Sequence, residues 1–184
     1  MLWIHGGGFT SGTGSDTTFD GSALASRGDT LLVTLNYRLG TLGFLALSNS
    51  TISGNYGLVD QLTALTWLRN HIRDFGGDPE RITVFGQSAG AASVRALLAI
   101  MSRREDLGRV KGAVMMSNPD GLVYAGTFSQ YYSIPEASAL NRGVLNETRC
   151  YNRDQAAQLH CLRNLPALKF LEGTVARLVD DIVV

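Results

Sequence analysis

Residues 81–91 read Arg-Ile-Thr-Val-Phe-Gly-Gln-Ser-Ala-Gly-Ala and carry the strongest structural signal in the sequence. Residues 81–85 form a β-branched, apolar run of strand type. Gly86-Gln87-Ser88-Ala89-Gly90 then matches G-x-S-x-G, and an apolar helix pattern follows over 89–101. A serine between a strand and a helix sits on a tight turn with its hydroxyl exposed, which makes Ser88 the candidate nucleophile. The same five letters also occur in ordinary glycine-rich turns, so the flanking pattern carries the weight.

Strand patterns recur on either side. Residues 1–4 read as the end of a buried strand, residues 30–37 (TLLVTLNY) as a second, 81–85 as a third and 110–116 as a fourth. Leu58, Leu62, Leu65, Leu68 and Ile72 recur at helical spacing and predict an amphipathic helix over 58–74. Gly76-Gly77-Asp78-Pro79 breaks it. Near-continuous apolar strands alternating with helices predict an α/β fold with a parallel sheet covered on both faces. Beyond Pro119 the pattern changes, and helices are expected at 135–145, 153–164 and 166–178.

A second glycine-rich stretch, His5-Gly6-Gly7-Gly8-Phe9, follows the first strand. Its backbone N–H groups are suited to face a developing negative charge. With Ala89, whose N–H opens the helix after the serine, Gly7 and Gly8 are the expected oxyanion donors. A nucleophile and an anion-stabilising loop together point to acyl transfer.

Composition excludes other classes. Lys plus Arg number 16 and Asp plus Glu 16, so no basic stripe invites nucleic acid or anionic lipid. Hydrophobic residues make up 45%, a core-forming composition. No apolar run approaches the ~18 residues of a membrane span. No cofactor or metal motif is present.

WIHGGGF (3–9), LNYRLGTLGFL (35–45), GNYGLVDQ (54–61) and FGGDPERITVFGQSAGA (75–91) occur in this order. They make the chain resemble the type B carboxylesterase/lipase family, whose members include cholinesterases and fungal lipases; a cholinesterase-like, fungal-type member is the expectation. The resemblance is strong over 1–118 and weak over 119–165. It implies an α/β-hydrolase fold, with residues 1–184 as a single partial domain. It further implies hydrolysis of a small-molecule or lipid ester through an acyl-enzyme on Ser88, with no cofactor. A non-catalytic adhesion or binding module of the same family is the alternative.

Several residues depart from the family pattern. Its triad runs serine, acid, histidine, yet His160 is the only histidine after Ser88 and lies in a Leu-His-Cys-Leu helix pattern. His5 is expected to anchor its loop by a hydrogen bond, and His71 to sit on a helix surface. Asp180 and Asp181 read as solvated helix-end charges. The triad acid and histidine are thus expected outside residues 1–184. The first two strands are expected before Met1, as in an internal fragment or a gene model begun at an internal methionine. Gln87 stands where the cholinesterases resembled have glutamate, which favours neutral over choline esters. Asn118 in Ser117-Asn118-Pro119 replaces a usual glycine, and Asn tolerates a left-handed backbone.

Cys150 and Cys161 are the two cysteines, and read alone they fit two buried thiols. The family has a disulfide-closed loop of similar size ending in Cys-Leu-Arg, like Cys161-Leu162-Arg163, so the resemblance implies a bridge. A bridge implies an oxidising compartment. Asn49-Ser50-Thr51 and Asn146-Glu147-Thr148 are glycosylation sequons in expected loops, in keeping with secretion.

Overall fold

The computed structural model describes residues 1–48, 51–119, 131–152 and 154–170, and the backbone of 182–183. Two compact units divide the chain, Met1–Tyr37 with Leu58–Gly121 and Arg38–Gly57 with Leu122–Val184.

The first unit holds a four-stranded sheet of β1 (Leu2–Ile4), β2 (Val33–Thr34), β3 (Thr83–Gln87) and β4 (Gly112–Met116), in the order β2-β1-β3-β4. All its pairings are parallel: Leu2 faces Val33 on one side and Val84 on the other, and Ile4 faces Gly86. Strands buried on both faces need apolar residues at every position. Leu2, Ile4 and Val84 are accordingly 0% exposed. Each such side chain contributes roughly 1.5–3 kcal/mol by leaving water.

Helix α1 (Ser22–Gly28) joins β1 to β2, α3 (Tyr56–His71) precedes β3, and α4 (Ala89–Arg103) joins β3 to β4. Leu58, Leu65 and Leu68 are buried along α3, as the spacing predicts. The expected helix over 58–74 instead ends at His71 and tightens into a 3-10 turn, Ile72–Phe75. Gln61 is buried as well, because its amide donates to the buried Ser93 hydroxyl of α4 at 3.0 Å. Small residues line α4's first turn, so Ala89 through Val94 are all buried. At the sheet edge the burial fails: Val114, Met115 and Met116 of β4 are 46%, 42% and 39% exposed.

The first unit departs from expectation in further places. Of the strand at 30–37, Val33–Thr34 alone joins the ladder. Residues 35–37 are drawn off by the loop at 12–14, whose Gly14 N–H donates to Asn36 Oδ1 at 2.9 Å. The left-handed residue after β4 is Ser117, with φ 49°, and not Asn118. Helix α1 was not expected, since it buries no residue and leaves no apolar period.

The second unit contains α2 (Gly40–Phe44), β5 (Tyr131–Tyr132) paired in parallel with β6 (Ile182–Val183), α5 (Ile134–Leu140), α6 (Arg142–Glu147) and α7 (Gln155–Arg163). Its core gathers Leu45, Leu47, Leu145, Cys150, Leu162 and Phe170. Cys150 and Cys161 are joined by a disulfide across 5.5 Å between Cα atoms. The helix expected over 135–145 is split at Asn141, whose buried amide donates to the Ala46 carbonyl at 3.2 Å. The helix expected over 153–164 appears as α7. That at 166–178 begins as a 3-10 turn, Ala167–Phe170, and its remainder lies outside the described residues. Among the described residues no helix is long and apolar enough to cross a membrane.

Candidate active site

β3 delivers Ser88 to the end of the sheet. The Ser88 N–H donates to the Met116 carbonyl at 3.0 Å and ends the ladder, while the Ser88 carbonyl accepts from the Ala92 N–H at 3.0 Å and starts α4. Making both turns in one residue forces Ser88 to φ 55°, ψ −123°, a region that side-chain-bearing residues avoid. The first turn of α4 seats against the end of β1. A Cβ on Gly90 would stand 2.1 Å from the Ile4 carbonyl oxygen, so only glycine fits. Ser88 is half-buried, and its hydroxyl takes no hydrogen bond among the described residues.

The loop at 5–9 leaves β1 beside this turn. At Gly6 the position of a Cβ lies 2.6 Å from the Gln87 carbonyl oxygen and 3.3 Å from Ser88 Cβ. The chain then reverses through Gly7 (φ 113°), Gly8 (φ 62°) and Phe9 (φ 58°). This conformation needs glycine at 7, where a Cβ would also meet the Ser11 carbonyl oxygen at 2.2 Å. The Gly7 carbonyl accepts from the N–H groups of Thr10 and Ser11 at 3.1 and 3.0 Å. It also accepts from the Ser11 hydroxyl at 3.0 Å. The Gly7 and Gly8 N–H groups form no hydrogen bond among the described residues. Ala89, as the first residue of α4, has an N–H with no partner in the helix.

The loop, Ser88 and Ala89 are therefore brought together. His5 is 1% exposed, and its Nδ1 lies 2.8 Å from the Gly6 carbonyl. A carbonyl only accepts, so the proton sits on Nδ1, and this is the loop-anchoring bond expected of His5. Its buried Nε2 has no partner among the described residues. His71 is exposed and packs against Trp67 with ring centroids 4.9 Å apart and planes tilted by 35°. His160 is exposed on α7, in the second unit. Asp180, Asp181 and Asn49 lie outside the described residues. Asn146 is exposed but sits in the last turn of α6, not in the expected loop. No group of His, Cys, Asp and Glu able to hold a metal occurs among the described residues. The partners that fix the loop at Asn36 and Tyr37 were not foreseen. Both residues were read as part of the strand at 30–37 and as a mark of resemblance in LNYR.

A model of the carboxylesterase family matches residues 1–182. Para-nitrobenzyl esterase of Bacillus subtilis (strain 168) is 52% identical over 119 residues, which are 64% of this chain and 24% of that protein. Neuroligin-2 of Homo sapiens is 40% identical over 176 residues, 95% of this chain and 20% of that protein. The solved structure of a PNB esterase superposes with a TM-score of 0.78 at 39% identity, covering 94% of this chain and 34% of that one. The chain thus spans between a fifth and about a third of the relatives named here.

Proposed function

The chain belongs to the carboxylesterase family and covers part of an α/β-hydrolase domain, and from that premise we propose that it is the nucleophile-bearing portion of a carboxylic ester hydrolase. The observation that carries this reading is the Ser88 backbone, held at φ 55° between β3 and α4 beside a loop whose Gly7 and Gly8 N–H groups are unbonded among the described residues. Strain of this kind persists where the fold over-determines it, and it clusters at functional sites.

In the proposed reaction Ser88 Oγ attacks the ester carbonyl. The resulting oxyanion rests on the N–H groups of Gly7, Gly8 and Ala89. One such donor is typically worth about 2.7–4 kcal/mol of transition-state stabilisation. The alcohol leaves, and water then releases the acid from the acyl-enzyme. The base and its orienting acid are proposed to come from outside residues 1–184. His5 is engaged within its own loop, and His71 packs against Trp67 on an exposed helix face. Residues 1–184 alone are accordingly an incomplete catalyst, because an unactivated serine is a weak nucleophile.

Residues 1–184 are read as one part of a single α/β-hydrolase domain. Gln87, exposed beside the serine, brings no charge to attract a cation, which supports a neutral small-molecule or lipid ester as substrate. The fungal-type assignment rests on the sequence motifs alone. The Cys150–Cys161 bridge and the exposed sequon at Asn146 support secretion, with glycosylation at Asn146 and Asn49.

The test is a fluorophosphonate probe on the full-length protein, with hydrolysis of p-nitrophenyl butyrate measured alongside. Labelling at Ser88 and turnover that vanishes in Ser88→Ala are expected. Turnover that survives Ser88→Ala refutes the proposal. The likeness to Neuroligin-2 favours a second reading, a non-catalytic adhesion or binding module. Such a module has no use for a strained serine, and a full-length protein that neither labels nor turns over selects it.

A further inference from the structure

We infer that Asn36 and Tyr37 are positioning residues that staple the two ends of the segment from His5 to Gly14, which contains the glycine loop at 5–9, and aim the loop's N–H groups toward Ser88. This rests on the reading of Gly7 and Gly8 as oxyanion donors.

In a trans peptide the carbonyl and the following N–H point in opposite directions. Fixing a carbonyl therefore aims the next N–H. The Gly6 carbonyl is held by His5 Nδ1 at 2.8 Å, which turns the Gly7 N–H the other way. The Gly7 carbonyl is held by Thr10 and Ser11, which does the same for the Gly8 N–H. Both donors are thus set from behind. The holding groups belong to the loop itself, however, and a run of glycines has much freedom to lose. The loop needs fixed points at both ends.

Tyr37 provides the near one. Its hydroxyl donates to the His5 carbonyl at 2.9 Å in a buried contact. Its ring stacks on the His5 imidazole with centroids 4.5 Å apart and planes at 20°. Burial pushes the phenol pKa up, so the hydroxyl stays a donor across the working pH range. Asn36 provides the far one. Its Oδ1 accepts from the Gly14 N–H at 2.9 Å and from the Thr13 hydroxyl at 3.0 Å. At Gly14 the loop lies so close to residue 35 that a Cβ would stand 2.4 Å from the Leu35 carbonyl oxygen. Successive residues of an extended chain point to opposite sides. One dipeptide, anchored by the β2 ladder just before it, therefore reaches both ends of the loop.

The test uses three variants of the full-length protein. Tyr37→Phe keeps the ring stack and removes one donor. Asn36→Ala removes the acceptor, and Asn36→Asp keeps it. Each is assayed for kcat and KM with p-nitrophenyl butyrate, and for inhibition by a trifluoromethyl ketone, whose serine adduct carries an oxyanion. Amide hydrogen exchange is followed at Thr10, Ser11 and Gly14, with α4 as reference. Tyr37→Phe and Asn36→Ala are expected to lower kcat about tenfold, the scale of one net hydrogen bond. KM should stay within about twofold and inhibition weaken in step with kcat, because the oxyanion forms after substrate binds. Asn36→Asp should retain wild-type behaviour. Exchange should accelerate at Thr10 and Ser11 in Tyr37→Phe and at Gly14 in Asn36→Ala, with α4 unchanged.

Wild-type kcat and inhibitor potency in Tyr37→Phe and Asn36→Ala, with Ser88→Ala inactive, overturn the staple and leave the hydrolase reading intact. If Ser88→Ala does not abolish turnover, the hydrolase reading fails and exchange alone decides: unaltered exchange at Thr10, Ser11 and Gly14 overturns the staple.

Discussion

Replacing Ser88 with glycine should make the protein more stable while removing its nucleophile. Ser88 stands at φ 55°, ψ −123°, close to the first central position of a type II′ turn, where glycine dominates. Holding any other residue there costs on the order of 1–3 kcal/mol. Glycine relieves that cost but widens the unfolded ensemble, returning about 0.4–1 kcal/mol. The hydroxyl has no hydrogen bond among the described residues, so little else is lost. The net gain is up to about 2.6 kcal/mol, which at about 2–4 °C per kcal/mol for a chain of this size raises the melting midpoint by up to roughly 10 °C. Ser88→Ala keeps the Cβ, hence the strain, and should stay within about 0.5 kcal/mol of wild type. Urea unfolding of the three proteins, compared at equal m-values, measures the differences. A Ser88→Gly protein that unfolds at or below the midpoint of Ser88→Ala would show that the elbow stores no strain.

The disulfide, the sheet edge and a capping carboxylate give three more expected outcomes. Cys150 and Cys161 are separated by 11 positions, and replacing both by serine should cost on the order of 3 kcal/mol in the chain-entropy view. The loss reads as a lower urea midpoint, and an unchanged midpoint contradicts it. Residues 1–184 produced alone should associate through the exposed apolar edge of β4. Met115→Lys should reduce the association seen by light scattering; a monodisperse monomer from the unmodified chain refutes this. Asp78 accepts from the Glu80 N–H and from Arg81 Nε, which together hold its carboxyl below the ordinary range. A depressed folded pKa gives stability that is present above the unfolded value, about 3.9, and lost as pH falls through the folded one. The stability gap between wild type and Asp78→Ala should therefore shrink below about pH 4. A gap that is constant down to pH 2 argues against the assignment.

What could be seen beforehand was whatever repeats locally. The β3–Ser88–α4 junction was legible because a β-branched strand, a glycine-flanked serine and a small-residue helix follow one another without interruption. The leucine spacing of α3 located its buried face, but not Gln61, whose burial depends on Ser93 of another helix. The same holds for Tyr37, read as a strand residue although its hydroxyl is bonded to the His5 carbonyl, 32 positions away. Asn141 broke an expected helix because the Ala46 carbonyl, far off in sequence, takes its amide. Short elements failed for a different reason: α1 buries nothing, so no hydrophobic period betrays it. Local chemistry wrote the serine's turn into the sequence, whereas the bonds that hold the loop facing it arise only from tertiary pairing.

The ladder in which Ile4 faces Gly86 has a kinetic consequence. Neither segment meets the other until the long stretch of chain between them has closed, and closure must be bought in entropy before the contacts reward it. The elbow can form early from its neighbours, but the glycine loop has nothing to face before that pairing. A serine that reacts with an oxyanion-forming reagent therefore reports a sheet that has finished assembling, and the rate at which that reactivity returns on refolding is a clock for the slowest contact in this half of the chain.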